Sequence, residues 1–264
     1  MTHRVPDVPS DAVHPASDAA PPAPVGSATA RQVAALARAV AVMDRLRGPG
    51  GCPWDARQTH ESLLPYALEE VHELVEAVEA ADRAGMREEL GDVLLQVLFH
   101  ARVADEDPDD PFDVGDVADG LVAKLVRRHP HVFEADGGEE LDAGAVHERW
   151  ERLKRAEKPA RTSALDGVPP TLGALARAQK LIAKADRAGL LDVAPPPSAS
   201  PAGPAVDALA GGRGLADAGA PDPDAVGDAL LALVATAHRA GVDAEAALRR
   251  ATAAWESAAR TAEP

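Results

Sequence analysis

The sequence predicts an all-α protein built as a helical bundle. Aromatic residues make up only 3% of the 264 residues, whereas hydrophobic residues as a whole reach 46%, so a core must consist mainly of Leu, Val and Ala. Several stretches repeat apolar residues every three or four positions, which is the period of an α-helix. Segments rich in Gly and Pro separate these stretches and end one helix before the next begins.

Composition divides the chain into four segments. Residues 1–30 are rich in Pro, Ala, Ser and Asp and contain no apolar signal region, so they are predicted to be a disordered tail. Residues 31–190 carry most of the helical pattern and are expected to form the main domain. Residues 191–223 are dense in Pro, Ala and Gly, which predicts a flexible linker. Residues 224–264 are predicted to form a further helical segment.

A first helix is predicted over residues 31–47, where apolar residues follow the helical period. The Gly-Pro-Gly-Gly run at 48–51 should end it. The loop that follows places Trp54 before the next helix. Pro65 is expected in the first turn of that helix, where a missing N–H removes no helical hydrogen bond.

Two acidic helices joined at Gly85 are predicted over residues 66–102. Residues three apart on a helix project from one face, so each helix presents two carboxylates side by side. If the helices pack antiparallel, the four carboxylates converge and need a cation between them. Hard oxygen ligands of this kind suit Mg²⁺ or Mn²⁺. The four are Glu70 and Glu73 on the first helix and Glu89 and Asp92 on the second.

The second acidic helix is expected to be buried nearly all round, because its sequence near Glu89 and Asp92 is strongly apolar. A buried acid without a partner is unfavourable, and this favours a ligand role for Asp92. Gly91 lies in mid-helix, where it is less favourable than alanine by roughly 1 kcal/mol, so it predicts close approach by another backbone or a ligand. The alternative is that the acidic pairs form a solvated helix face.

A fourth helix is predicted over residues 113–129, with Lys124 and Arg128 four apart near its end. Such cations ordinarily complement the helix dipole, and the same spacing suits the binding of two phosphates. Both interpretations stay open at this point.

Three more elements are predicted before the linker. Residues 129–138 should form a loop, residues 143–158 a fifth helix, and residues 174–191 another. Trp150 and Lys154 lie four apart on one face of the fifth helix, an arrangement that also fits a core tryptophan with a lysine stem alongside it.

Charge and composition exclude several classes of partner. The formal net charge of −16 argues against nucleic acid, because binding a phosphate backbone requires a basic surface. No run of about 18 apolar residues is present, so no membrane partner is expected. The single cysteine, Cys52, cannot form an internal disulfide, which fits a cytoplasmic location.

Four motifs, in the expected order, resemble the MazG-type nucleoside triphosphate pyrophosphohydrolases. They are GCPWDARQT at 51–59, the Glu-Glu-x-x-Glu and Glu-x-x-Asp pattern within 69–92, KLVRRHPHVF at 124–133 and RWERLK at 149–154. The resemblance implies a MazG-like helical bundle completed by dimerisation, and therefore a homodimer. It also implies hydrolysis of nucleoside triphosphates to nucleoside monophosphate and pyrophosphate, with a house-cleaning duty toward the nucleotide pool.

The resemblance assigns roles to eleven residues, and the assigned cofactor is Mg²⁺, with Mn²⁺ as the alternative. Glu70, Glu73, Glu89 and Asp92 would hold the metal, and Glu69 or the neighbouring Glu88 would act as the general base. Lys124, Arg128 and Lys154 would contact phosphates, and Trp54 and Trp150 would contact the base. Trp54 fits equally well as a plug at the end of the bundle.

Two other functions stay open. Related all-α pyrophosphohydrolases act on dUTP, dCTP or phosphoribosyl-ATP, and a substrate panel would separate them. The alternative from a different class is a non-catalytic, metal-responsive helical interaction module. Phosphate-binding cations beside the carboxylates argue against this module, because metal binding alone does not need them.

Residues 224–264 are expected to be a degenerate second MazG-like unit. Gly227 and Asp228, with the apolar run after them, match Gly91 and Asp92 with theirs. In this alignment Ala225 stands in the place of Glu89, so the segment is expected to be non-catalytic. An unrelated helical hairpin with a chance match is the alternative.

Overall fold

The structure, a computed structural model, describes residues 27–133, 162–193 and 222–263, together with four isolated residues between the first two ranges. Every regular element in these ranges is helical, which confirms the predicted fold class. The chain divides into two compact units, Met1–Ala143 and Gly144–Pro264.

The described part of the first unit contains five helices and one 3₁₀ turn. Helix α3 packs against α1, α2 and α4 and is therefore the central element. The short α5 occupies the start of the segment predicted to be a loop. The helices are α1 Ser27–Arg47, α2 His60–Glu79, α3 Arg83–Ala104, α4 Val114–Arg128 and α5 Pro130–Phe133, and the 3₁₀ turn is Asp55–Arg57.

The core of this unit is small and lies where the first three helices meet. Met43 of α1, Leu63 of α2, and Leu98 and Phe99 of α3 are all buried and form one cluster. Val114, the first residue of α4, packs against the same cluster. The core thereby fixes the positions of α2 and α3, the two helices that carry the acidic residues.

Helix α2 begins earlier than predicted because a capping box defines its start. The Thr59 side chain accepts from the backbone N–H of Ser62, and the Ser62 side chain accepts from the backbone N–H of Thr59. Pro65 therefore lies inside the helix, and the prediction that it occupies the first turn is wrong. Its missing N–H leaves the carbonyl of Glu61 without the usual helical donor.

Helices α2 and α3 form an antiparallel hairpin. Nδ1 of His60, at the start of α2, lies 2.8 Å from Nδ1 of His100, near the end of α3. The turn between them uses Ala81, whose φ is 54°, and Asp82, whose side chain accepts from the N–H of Ala84 and caps α3. Gly85 lies inside α3, so the prediction that it forms the turn is wrong.

Helix α3 is less buried within the chain than its sequence predicts. Leu90 is 52% exposed and Val97 43% exposed, so the expectation of a helix buried all round is not met. No other part of the described chain approaches Gly91, because a Cβ there would meet no atom within 4 Å, so close approach by another backbone of this chain is excluded. Close approach by a ligand stays a prediction. The apolar surface of α3 is therefore only partly covered.

The described part of the second unit contains three helices, α6 Ala174–Arg187, α7 Pro223–Arg239 and α8 Ala244–Thr261. Helix α7 packs against both α6 and α8. The buried core of this unit consists of Ile182 of α6 and Val234 and Ala235 of α7. Helix α6 ends before residue 191 because Gly189 has a φ of 65°, and the N–H of Leu190 bonds back to the carbonyl of Ala185. The predicted 143–158 helix and 191–223 linker lie largely outside the described residues.

No single helix among the described residues is both long enough and apolar enough to span a membrane. Helices α7 and α8 pass only when taken together, and they are bent by 110° with respect to each other.

Candidate functional site

Three carboxylates converge where α2 and α3 pack side by side. Glu70 and Glu73 of α2 and Glu89 of α3 offer oxygens that all lie within 4.8 Å of one another. We call these three residues the carboxylate triad. Glu70 and Glu89 are half-buried, and Glu73 is exposed. The hairpin thus brings together three of the four acids predicted to hold a metal.

The fourth predicted acid, Asp92, lies three residues beyond Glu89 on α3. It is half-buried and is not part of the group within 4.8 Å. Its charge nevertheless contributes to the raised pKa of both Glu70 and Glu89, so it is close to the triad. Asp92 therefore borders the triad.

Burial and nearby like charge raise the pKa of two members of the triad, Glu70 and Glu89. Burial raises the pKa of Glu70, and the charges of Asp92 and Glu73 raise it further. Burial likewise raises the pKa of Glu89, followed by repulsion from Glu73 and Asp92. The charge of the exposed Glu69 also raises the pKa of Glu70, and the charge of the exposed Glu88 also raises the pKa of Glu89.

The donor set of the triad fits a hard divalent cation. Three carboxylates supply only oxygen ligands, which Mg²⁺ and Mn²⁺ prefer. A cation among them would relieve the repulsion that raises the pKa of Glu70 and Glu89. Among the residues that the structure describes, no other group of three His, Cys, Asp or Glu side chains has comparable geometry.

Three aromatic rings pack together on the side of the triad that faces away from the turn of the hairpin. The ring of Trp54 packs edge-on against Tyr66, with centroids 6.0 Å apart, and against Phe99, with centroids 6.5 Å apart. Phe99 is buried, whereas Trp54 is 46% and Tyr66 41% exposed. Tyr66 precedes Glu70 by four residues, so the rings begin about one helical turn, or about 6 Å, from the triad. We call these three residues the aromatic cluster.

Comparison with known proteins assigns a family to this hairpin. The MazG nucleotide pyrophosphohydrolase domain matches residues 58–133. The nucleoside triphosphate pyrophosphohydrolase of Escherichia coli K12 is 38% identical over 233 residues, which are 84% of this chain and 84% of that protein. The chain belongs to the MazG family. The protein named nucleoside triphosphate pyrophosphohydrolase/pyrophosphatase MazG from Thermotoga maritima is also 38% identical, over 80% of this chain and 79% of its own length.

A third relative is more similar over a shorter stretch. The nucleoside triphosphate pyrophosphohydrolase of Mycolicibacterium smegmatis is 49% identical over 152 residues, which are 57% of this chain. The chain spans only 45% of that protein. The MazG match at 58–133 includes the whole α2–α3 hairpin and α4. The triad therefore lies within the part of the chain that defines the family.

The predicted phosphate-binding cations are placed only in part. Lys124 and Arg128 lie four residues apart in the second half of α4, where Lys124 is exposed and Arg128 half-buried. Between the described residues no ion pair joins Lys124 to the triad. Trp150 and Lys154 lie outside the described residues.

Sequence reasoning missed Arg47, a residue that positions the Trp54 loop. Its guanidinium donates to the carbonyls of Asp55 at 2.7 Å and Gln58 at 3.0 Å, and it pairs with Glu106 at 2.8 Å. Its side chain is only 6% exposed. The motif GCPWDARQT gives no hint of this role, because Arg47 precedes it as the last residue of α1.

In the predicted second MazG-like unit, Asp228 is the residue predicted to correspond to Asp92. It is exposed on α7, and Ala225 occupies the helical position three residues before it. No described residues of this unit form a carboxylate group like the triad. Helix α7 packs against α6 and α8.

Proposed function

We propose that this chain hydrolyses nucleoside triphosphates to nucleoside monophosphate and pyrophosphate with the help of Mg²⁺. The observation that carries the proposal is the carboxylate triad within the residues that match the MazG family. Relatives named nucleoside triphosphate pyrophosphohydrolase match most of the chain and support this activity. In the reaction, the bond that links the α- and β-phosphates breaks, and water supplies the new oxygen and two protons.

Glu70, Glu73 and Glu89 would bind the metal, with Asp92 beside them as a fourth carboxylate. A bound Mg²⁺ neutralises phosphate charge and lowers the pKa of a water molecule. Mn²⁺ would occupy the same oxygen ligands. The raised pKa of Glu70 and of Glu89 supports this assignment, because such groups gain most from a nearby cation.

Glu69 or Glu88 would accept the proton of the attacking water. Both residues are exposed, and each adjoins one member of the triad in sequence. A carboxylate next to the metal ligands can hydrogen-bond to the water and orient it while taking its proton. The two residues are equivalent in this respect, so both belong in a mutational test.

The substrate would extend from the triad to the aromatic cluster. Its phosphates would lie at the triad, and its base would contact Trp54, whose half-exposed ring packs against Tyr66. Tyr66 itself lies about one helical turn from Glu70. Lys124 and Arg128, together with Lys154, would offset the charge of the leaving pyrophosphate. Trp150 would be a second contact to the base.

A homodimer would cover the apolar surface that one chain leaves open. Leu64, Leu68, Val71 and Val78 of α2 are all between 48% and 64% exposed. Their spacing places them in one stripe, roughly a third of a turn around the helix from Glu70. Contiguous apolar surface of this kind is typical of protein–protein interfaces, and a second copy could bury it without blocking the triad.

Pyrophosphate release tests the activity. The assay uses the four ribonucleoside and the four deoxyribonucleoside triphosphates with Mg²⁺, for the wild type and for Glu73→Ala and Asp92→Ala. We expect about 100-fold or greater loss of kcat for Glu73→Ala and about 10- to 100-fold loss for Asp92→Ala. Glu76→Ala is the control, because Glu76 is an exposed acid of α2 outside the triad.

Two results would contradict the proposal. Full activity in both variants would remove the triad from the chemistry. Binding of Mg²⁺ without turnover of any nucleotide would favour a metal-responsive interaction module. Turnover confined to dUTP or dCTP would keep the chemistry but narrow the substrate.

We propose no catalytic role for the second unit. Only Asp228 aligns with a member of the predicted metal-binding set, and Ala225 replaces the second carboxylate on its helix. The positions that correspond to Lys124 and Arg128 are Ala254 and Ala258. Asp228→Ala should therefore leave pyrophosphate release unchanged.

A further inference from the structure

Gln96 is a buried polar residue of α3 whose side chain lacks a partner. The residue is 8% exposed, and its Oε1 is buried with no hydrogen bond. In the described ranges it is the only polar or charged residue that is buried to this degree. A carbonyl oxygen in this state is unfavourable in the free protein, because it has lost its bonds to water and gained none in return.

The register of the α2–α3 hairpin places Gln96 beside the proposed substrate. Glu73 and Glu89 face each other within the triad. Two helical turns farther from the hairpin turn, the same register brings Tyr66 of α2 level with Gln96 of α3. Gln96 therefore lies at the level of the aromatic cluster.

The neighbours of Gln96 on its own helix bracket it between the two halves of the site. Asp92 is one turn away on the side of the triad, and Phe99 is nearly one turn away on the opposite side. Trp54 packs against both Phe99 and Tyr66. An amide at this position lies between the groups expected to hold phosphate and the rings expected to contact the base.

We propose that Gln96 determines nucleoside specificity by hydrogen bonding to the sugar or base of the bound nucleoside triphosphate. The inference rests on the proposed function. The ligand completes the hydrogen bonding that the folded chain leaves open, so substrates with the matching group gain a bond and those without it bury the amide unpaired. Discrimination of this kind is stronger than that of an apolar pocket, because an unpaired buried polar group is costly.

Gln96→Met tests the proposal, since methionine has a similar length and helix propensity but no amide. The Tm of the free variant should equal or exceed that of the wild type, because an unsatisfied group has been removed. Its kcat/KM should fall about tenfold for the preferred nucleotides, mainly through KM, as expected for the loss of one hydrogen bond. A residue needed only for folding would lower Tm instead.

The nucleotide panel identifies which part of the nucleoside is bound. If Gln96 contacts the ribose, Gln96→Met should reduce the ratio of kcat/KM between each ribonucleotide and its deoxy counterpart below the wild-type ratio. If Gln96 contacts the base, the variant should instead reduce the ratios of kcat/KM between nucleotides that differ in base. Leu98→Met, a buried apolar change on the same helix, is the control and should leave these ratios unchanged. The proposal is overturned if the Tm of Gln96→Met falls, or if all eight nucleotides keep or lose kcat/KM equally.

Failure of this proposal and failure of the proposed function are distinguishable. Absence of Mg²⁺-dependent pyrophosphate release in the wild type would defeat the function itself. Normal wild-type turnover with unaltered selectivity in Gln96→Met would leave the function in place and defeat only the role of Gln96.

Discussion

Replacement of Glu73 by glutamine tests the carboxylate triad directly, because it removes one charge and one strong ligand while keeping the size of the side chain. Without Mg²⁺ the variant should unfold at the same or a higher temperature than the wild type, since the charge of Glu73 raises the pKa of Glu70 and of Glu89. With Mg²⁺ the order should reverse, because the variant has lost a ligand.

The size of the reversal follows from the linkage between binding and folding. Mg²⁺ at about 100 times its Kd stabilises the folded state by about 2.7 kcal/mol. For a unit of about 100 residues this raises Tm by on the order of 10 °C. If loss of Glu73 weakens binding by about 100-fold, the same concentration contributes only about 0.4 kcal/mol. The Mg²⁺-induced increase in Tm should then shrink to about 2 °C.

Thermal unfolding followed by circular dichroism, in EDTA and in increasing Mg²⁺, measures both effects. Glu76→Gln is the control, because it removes the same charge from an exposed position of α2 outside the triad. The reasoning is refuted if Glu73→Gln keeps the wild-type Mg²⁺ shift. It is also refuted if Glu76→Gln loses as much of that shift, since the effect would then be one of general charge.

Three further predictions concern pH, the Trp54 loop and the oligomer. The raised pKa of Glu70 and of Glu89 lets protons compete with Mg²⁺ at higher pH than at ordinary glutamates, so the Mg²⁺-induced shift in Tm should decline as the pH falls toward their pKa. In metal-free protein the same two groups favour folding below the ordinary glutamate pKa, and this contribution is lost as the pH rises through their raised pKa. A Mg²⁺-induced shift in Tm that does not depend on pH would contradict the raised pKa on which both statements rest. Arg47→Met should lower the free energy of unfolding by about 2–3 kcal/mol, through lost charged hydrogen bonds, and change the fluorescence of Trp54 in a chain whose other tryptophans are replaced. Leu68→Asp should convert a homodimer to monomer in sedimentation experiments, whereas an unchanged mass would remove the α2 stripe from the interface.

The helices of the first unit are predictable from the sequence where their signals are local. The end of α1 follows from the glycines after Arg47, and α4 begins where Asp113 and Asp116 form a capping box. Both signals involve residues within one turn of the boundary. The structure agrees with the predicted end of α1 and with both predicted ends of α4 to within a residue, but α1 begins at Ser27, four residues before its predicted start.

The boundaries of the acidic hairpin were predicted less well because competing signals lie close together. Proline is common in the first turn of helices, and this predicted a helix start near Pro65. The capping box at Thr59 starts α2 earlier. Glycine is common in turns, and this predicted a turn at Gly85. Asp82 caps α3 before that residue, and Ala81 is the turn residue that adopts a positive φ. Side-chain caps thus outweighed the conformational preferences of Pro and Gly.

The shared face of the acids on each helix could be predicted from spacing, since residues three apart on a helix project from one face. Spacing does not bring the two helices together, and it does not distinguish Asp92 from the members of the triad. Gln96 and Arg47 could not be predicted, because their roles depend on contacts with other elements. Gln96 acquires its position from the register against α2, and Arg47 from a loop that folds back onto the end of α1. A single glutamine in an apolar run is a weak local signal for either burial or function.

The triad and Gln96 share a thermodynamic property that links folding to the proposed activity. Carboxylates with a raised pKa and a buried amide without a partner both destabilise the free chain. Each is relieved by a different part of one complex, the triad by the metal and Gln96 by the nucleoside. Binding energy can then appear as stabilisation of the hairpin that holds the substrate. Local instability at these positions of the α2–α3 hairpin is therefore the expected consequence of a site completed by its ligands.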